Sequence, residues 1–161
     1  MTQAYVAPLT IDANRLPVLD NTIRIDLRSA IESMPASRFI GLTVAGLDAC
    51  GRSRIELAIR PELTFDGHVV QGGIVGLLAD YAGVSAAAAS LPTGWIATTT
   101  AFEVHNLAPA VGERLVALGE ALQVSRGSAV SRADIWAVSG ATAIRVCVAN
   151  TTCKPFELRV R

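Results

Sequence analysis

A single carboxylate, Asp80, lies in the middle of the most apolar segment of the sequence. The segment reads VVQGGIVGLLADYAG over residues 69–83 and continues through Val84, Ser85 and four alanines. A helix that is apolar on all sides is usually buried on all sides. A buried carboxylate is strongly unfavourable unless it is paired, hydrogen-bonded or protonated. Asp80 therefore needs either a structural partner or a chemical task.

Two kinds of role are open for Asp80. A structural partner would be a core arginine or the neighbouring Tyr81. The chemical role is that of a base or nucleophile, because a poorly solvated carboxylate is a stronger base than one in water. Gly72 and Gly73 precede Asp80 at the start of the same apolar segment. At a helix N-terminus, glycines expose unpaired N–H groups without a Cβ in the way, which suits the stabilisation of an oxyanion.

The spacing of these residues limits how they can cooperate. Gly72 and Asp80 are eight residues apart, which is about 12 Å along a helix axis. One small carbonyl group cannot touch both residues of the same helix. Two copies of the helix, antiparallel across a two-fold axis, would bring Asp80 of one copy to Gly72 of the other. The small side chains of Gly76 and Ala79 allow such an approach.

The remaining sequence predicts the elements around this helix. A short helix is predicted from a cap at Asp20 or Asn21 to the residue before Pro35. The long apolar helix is predicted from about Gly72 to Ser90, since Pro92 follows. Period-two patterns predict strands over 38–48, 52–60, 95–107, 114–125, 129–138 and 141–153. A sheet must curl around a helix that is apolar on all sides, so we predict an α+β fold.

Composition excludes several classes of protein. The chain has 161 residues, of which 51% are hydrophobic and 17% charged, so we expect one globular domain. The net charge is zero, which argues against nucleic acid as a partner. Three separated cysteines and no recognisable signal peptide favour the cytoplasm. Residues 72–91 approach membrane-spanning length, but the central Asp80 argues against a membrane span.

The stretch GHVVQGGIVGLLADYAG resembles the signature of hotdog-fold acyl-CoA thioesterases. The resemblance is to the phenylacetate-pathway (PaaI-like) branch of the 4-hydroxybenzoyl-CoA thioesterase superfamily. That branch has His-Gly-Gly and an Asp nine residues after the His. Gly72, Gly73 and Asp80 match in register, whereas Gln71 stands in place of the His. The stretch TTTAFEVHNLAPAVGE resembles the family's next strand, and the resemblance spans roughly residues 38–153.

The resemblance implies a fold and a reaction. The fold would be a hotdog, a curved antiparallel sheet wrapped around one long central helix, over residues 38–161 after an N-terminal arm and short helix at 1–37. The reaction would be hydrolysis of an acyl-CoA or aryl-CoA thioester without a cofactor, by a homodimer or a dimer of dimers. Asp80 would be the general base or nucleophile, and the Gly72 N–H would polarise the thioester carbonyl. A hydroxyl that assists Asp80 falls on Thr99, with Thr98 and Thr100 as alternatives in register.

Further residues are candidates for contacting the substrate. The family often has an amide side chain six residues before its His, where this chain has Phe65 with Asp66 beside it. Arg126 lies in a turn and could meet the phosphates of coenzyme A, or be an ordinary exposed arginine. The predicted substrate-binding residues are Gln71, Gly73, His68, Asp66 and Arg126.

Other functions remain possible at this level. A non-catalytic hotdog module that binds acyl-CoA as a sensor or carrier is the main alternative, and thioester turnover separates the two. A hydratase would need an Asp and a His close together in a short motif, which the sequence lacks. The histidines, His68 and His105, lie outside any cluster of ligand residues, so we predict no metal site.

Overall fold

The computed structural model describes residues 6–158 and places one long helix against a seven-stranded antiparallel sheet. The helices in this part of the chain are α1 (Ile25–Ser33), α2 (Pro35–Ile40) and α3 (Gly72–Ala89). The strands are β1 (Thr10–Asp12), β2 (Leu42–Asp48), β3 (Arg52–Ala58), β4 (Trp95–Asn106), β5 (Arg114–Val124), β6 (Ala129–Ser139) and β7 (Thr142–Glu157). The predicted α+β architecture with one long central helix is confirmed.

The sheet has two different edges. Its order is β1-β7-β6-β5-β3-β2, and β4 also pairs with β7. β1 pairs with residues 142–144 of β7 and β4 with residues 147–157, so these two strands share one side of β7 end to end. β2 forms the opposite edge of the sheet. Helix α3 packs against β2 to β7, so the sheet curves around it.

Helix α3 is held unusually close to the sheet. A Cβ on Gly119 of β5 would overlap the carbonyl oxygen of Ala82. The Ser53 hydroxyl donates to the Ala82 carbonyl at 2.7 Å, and the Ser131 hydroxyl donates to the Gly83 carbonyl at 2.7 Å. These buried hydrogen bonds fix the helix at Ala82 and Gly83, two and three residues after Asp80. By length and composition α3 could cross a membrane, but most of it is buried inside the fold, as in a core helix.

The first part of the chain differs from the sequence-based expectation. The strand predicted over 38–48 begins only at Leu42, because Pro35 starts α2 as its first residue and Gly41 ends it in a left-handed conformation (φ 77°). The first helix begins at Ile25 rather than beside Asp20, whose carboxylate instead accepts from the Thr22 N–H and hydroxyl. The later strands and the long helix follow the predicted order.

Arg24 ties α1 to the end of α3. Its side chain is 9% exposed, and the guanidinium donates to the carbonyl oxygens of Ala88 at 2.7 Å, Leu91 at 2.6 Å and Trp95 at 3.2 Å. A second contact is the ion pair with Asp26 at 2.9 Å. Arg24 is left-handed (φ 50°), a conformation that L residues other than Asn and Asp rarely adopt. A cation at this position also complements the negative end of the α3 dipole.

We expect Arg24→Ala to lower the free energy of unfolding by about 2 kcal/mol, because it removes hydrogen bonds from a charged donor to the end of a buried helix. Arg28→Ala is the matched control, since Arg28 forms a half-exposed pair with Glu32 and should cost less than about 0.5 kcal/mol. Urea unfolding measures both variants. Equal losses in the two would contradict a special role for Arg24.

Candidate active site

Asp80 lies on the side of α3 that the sheet leaves partly open. It is half-buried, and the Thr99 hydroxyl donates to its Oδ1 at 2.8 Å. Within residues 6–158 it forms no ion pair with an arginine. The Tyr81 hydroxyl instead accepts a hydrogen bond from Ser37 at 3.1 Å. Within the described residues, therefore, neither an arginine nor Tyr81 is the structural partner of Asp80.

The surroundings of Asp80 change its acidity. Burial raises the pKa of the Asp80 carboxyl above its usual value, and the hydrogen bond from Thr99 opposes this with a smaller effect. Cys153 pairs with Thr99 across the sheet, and burial and the charge of Asp80 both raise the pKa of its thiol. A carboxyl whose pKa is higher in the folded than in the unfolded state destabilises the fold as pH rises through that pKa. Asp80 is thus a strengthened base whose ionisation opposes folding.

A β-bulge determines which threonine reaches Asp80. The pairing of β4 with β7 shifts between Thr99 and Ala101, which makes Thr100 the extra residue. Thr100 is exposed, and its hydroxyl donates to the Thr152 carbonyl at 3.1 Å. Thr98 is also exposed but lines the cavity described below. Of the three consecutive threonines, Thr99 makes the hydrogen bond to Asp80.

The N-terminus of α3 forms a second polar position. Gln71 is the N-cap residue and its side chain makes no capping hydrogen bond. Gly72 and Gly73 are exposed, as the first residues of the helix. A Cβ on Gly72 would lie 3.2 Å from Nδ2 of Asn106, and both residues line a cavity of about 340 Å³.

Asn106, beside the start of α3, is a polar residue that the sequence pattern does not indicate. Thr99 and Asn106 are seven residues apart, so a regular strand would point them to opposite faces. The bulge at Thr100 changes the phase of β4, and both side chains then reach α3. An irregular strand of this kind leaves no signal in the period-two pattern.

The other predicted substrate residues lie away from Asp80. The Asp66 carboxylate accepts from the N–H groups of His68 at 2.8 Å and Val69 at 2.7 Å, which lowers its pKa and folds the loop before α3. His68 is exposed in that loop. Arg126 lines a separate open cavity with Trp95 beyond the C-terminal end of α3. No cluster of three metal-ligating side chains occurs within residues 6–158.

A cavity of about 410 Å³ lies beside Asp80 and Thr99. Its walls come from α1, α3 and β4. The structure therefore joins a carboxylate, a hydroxyl and an apolar space in one place. Exposed helix N–H groups lie eight residues earlier on the same helix.

We expect Thr99→Val to raise the pKa of Asp80, because the lost hydrogen bond stabilises the ionised carboxylate. A titration of the carboxyl carbon by NMR measures the shift. Thr100→Val is the matched control, since that hydroxyl bonds to the Thr152 carbonyl and should leave Asp80 unchanged. An Asp80 pKa that is the same in Thr99→Val and wild type would contradict the assigned hydrogen bond.

The architecture is similar to that of several proteins of known structure. No family model and no curated protein sequence matches the chain. Among solved structures, a thioesterase family protein from Silicibacter pomeroyi superposes with a TM-score of 0.76 at 23% identity, covering 81% of this chain and 96% of that one. A thioesterase from Haemophilus influenzae gives 0.72 at 17% identity, covering 90% and 99%.

The PaaI protein from the phenylacetic acid degradation operon of E. coli also matches. Its TM-score is 0.68 at 16% identity, and the match covers 83% of this chain and 92% of that one. At such identities the likeness establishes the three-dimensional arrangement rather than the activity. The chain thus has the same fold as these solved structures, a hotdog fold.

Proposed function

We propose that this protein hydrolyses an acyl-CoA or aryl-CoA thioester, with Asp80 as general base or nucleophile. The observation that carries the proposal is the half-buried Asp80 carboxylate, held by Thr99 at 2.8 Å beside an apolar cavity. Burial raises its pKa, as expected of a group tuned for proton transfer. The names of the structural neighbours, which are thioesterases, support the same chemistry.

The proposed reaction uses few groups. Ionised Asp80 removes a proton from a water molecule as the water oxygen bonds to the thioester carbon. The carbonyl oxygen gains negative charge, and the Gly72 N–H stabilises it as an oxyanion. The carbon–sulfur bond then breaks and the carboxylic acid is released, while coenzyme A leaves as a thiolate that takes the proton from Asp80 and restores the carboxylate. In the nucleophilic variant, Asp80 itself attacks the carbon and displaces coenzyme A as a thiolate. Water then hydrolyses the resulting anhydride, which releases the carboxylic acid and restores Asp80.

A complete site needs two subunits. Gly72 and Asp80 are about 12 Å apart along α3, so the donor for one Asp80 would come from a second copy. Ile74 and Leu77 on α3 are only half-buried in the single chain, although both are large and apolar. An antiparallel α3 from a partner would cover them. We therefore propose a homodimer, or a dimer of dimers, as the catalytic unit.

The two edges of the sheet favour one mode of self-association. The β2 edge is covered, because the Val44 N–H donates to Glu32 at 2.9 Å and the Leu47 N–H donates to the Asp20 carbonyl at 3.1 Å. The β4 edge pairs only with β7 within the described residues and carries Phe102, which is 51% exposed. An uncovered edge strand is a template for pairing with another chain. β4 is therefore the proposed edge for pairing with a second copy.

The remaining contacts with the substrate are proposed around the carbonyl and the coenzyme. Gln71 and Gly73 lie at the start of α3, and His68 lies in the preceding loop, which the Asp66 carboxylate folds. Arg126 supplies positive charge for the phosphates of coenzyme A.

Cys50, Cys147 and Cys153 are free thiols, which suits a location in the reducing cytoplasm.

We expect Asp80→Asn to lower kcat by at least about a hundredfold, because it removes the base. The variant should be no less stable than wild type at neutral pH, since ionised Asp80 opposes folding there. Steady-state hydrolysis of acyl-CoA and urea unfolding measure the two effects. Asp134→Asn is the control, because this half-buried carboxylate contacts Arg145 away from α3 and should keep most of the activity. Near-wild-type turnover by folded Asp80→Asn would overturn the assignment.

The shared site predicts complementation between two inactive variants. Gly72→Pro removes the backbone N–H at the first helical position, where proline is well tolerated. Random mixing of this variant with Asp80→Asn makes about half of the dimers mixed, each with one intact site of two. We expect recovery of roughly a quarter of the wild-type activity in a hydrolysis assay after subunit exchange.

Folding and dimerisation of both variants are checked first by circular dichroism and light scattering, since a Cβ at position 72 approaches Asn106. A mixture of Asp80→Asn with Thr99→Val is the control. Both substitutions lie in the same half of the site, so mixed dimers should show no recovery of activity. Two folded, exchanging variants whose mixture stays inactive would rule out a site shared between subunits.

A further inference from the structure

The cavity beside Asp80 has mostly apolar walls. α1 contributes Leu27, Ala30 and Ile31, and Met34 follows at the end of that helix. The opposite walls come from α3 and from the start of β4. Its volume of about 410 Å³ lies within the range of ~300–1,000 Å³ that is typical of small-molecule sites.

Asp80 is the one charged residue among the described residues that line this cavity. The arginines of α1 face other partners. Arg24 bonds to carbonyl groups at the end of α3, and Arg28 bonds to Glu32 and to the Asn21 carbonyl. Among residues 6–158, no cation lines the cavity to neutralise a negatively charged group beside the Asp80 carboxylate, and such a pair of like charges is strongly unfavourable in an apolar space.

Polar contacts fix the position of α1 relative to α3 and β2. Arg24 fixes its N-terminal end to the end of α3. Glu32 accepts from the Val44 N–H of β2 at 2.9 Å, and Ser37 of α2 donates to Tyr81 at 3.1 Å. An apolar gap would otherwise tend to close, because empty apolar space destabilises a fold. These contacts hold α1 in place as one wall of the cavity.

On the basis of the proposed function, we infer that this cavity is the acyl pocket and that α1 sets its depth. The pocket takes an uncharged alkyl or aromatic acyl group of intermediate size, with the thioester carbonyl at Asp80 and the hydrocarbon end against Ala30 and Met34. Acyl groups that carry a second carboxylate are excluded. Ala30 and Met34 are then the residues that determine the preferred acyl length.

The test compares butanoyl-, octanoyl- and succinyl-CoA as substrates. Ala30→Leu fills the pocket from α1 and keeps a strong helix former. It should lower kcat/KM for octanoyl-CoA relative to butanoyl-CoA by at least about tenfold. Met34→Ala should shift the preference towards longer chains. Ser29→Leu adds the same side chain at an exposed position of α1 outside the pocket and should change neither ratio. Wild type should hydrolyse succinyl-CoA at least about a hundredfold less efficiently than butanoyl-CoA.

A binding measurement separates this inference from the proposed function. Calorimetry with the Asp80→Asn protein should show weaker octanoyl-CoA binding after Ala30→Leu and unchanged binding after Ser29→Leu. Octanoyl-CoA binding that depends on Ala30, without turnover by wild type, would overturn hydrolysis and keep the pocket. Equal effects of Ala30→Leu on butanoyl- and octanoyl-CoA, or efficient use of succinyl-CoA, would overturn the pocket.

Discussion

The close packing of α3 into the curved sheet is the constraint on which the rest of the structure depends. Helix and sheet approach until serine hydroxyls on β3 and β6 bond to carbonyl groups of the helix, and Gly119 leaves room for the helix backbone. This packing removes most of α3 from water. Asp80 lies two residues before the first of these hydrogen-bonded carbonyls and is partly removed from water together with the helix. This loss of solvent raises the pKa of its carboxyl. The reactivity proposed for Asp80 is thus a consequence of how the core is built.

Burial of Asp80 favours its proposed reactivity but lowers the stability of the fold. An ionised carboxylate in an apolar environment opposes folding, and among residues 6–158 only the Thr99 hydroxyl donates a side-chain hydrogen bond to it. Stabilising contacts lie elsewhere, as in the Arg24 guanidinium at the end of α3. Those contacts also hold α1 beside the cavity. Such separation of stabilising and reactive groups is expected where a site is kept strained for chemistry.

The single chain leaves two features incomplete. One edge of the sheet is covered by the N-terminal region, whereas the β4 edge is open within the described residues. The helix N–H groups and the carboxylate that the proposed reaction needs are too far apart on α3 to meet at one carbonyl. A second copy paired through β4 would address both features at once, which is why the proposed site and the proposed dimer depend on each other.

The sequence alone determined the long apolar helix and the order of the main strands, and it made Asp80 the candidate for chemistry, because hydrophobic period and burial cost are local properties of the chain. It left Thr98, Thr99 and Thr100 open as partners of Asp80 and did not reveal α2 or Asn106. The tertiary structure decided these points. The bulge at Thr100 changes which face of β4 a residue occupies, and it arises from pairing with β7, a strand more than forty residues later. No local pattern encodes such a long-range register, and that is the physical reason why the residues around Asp80 emerged only from the fold.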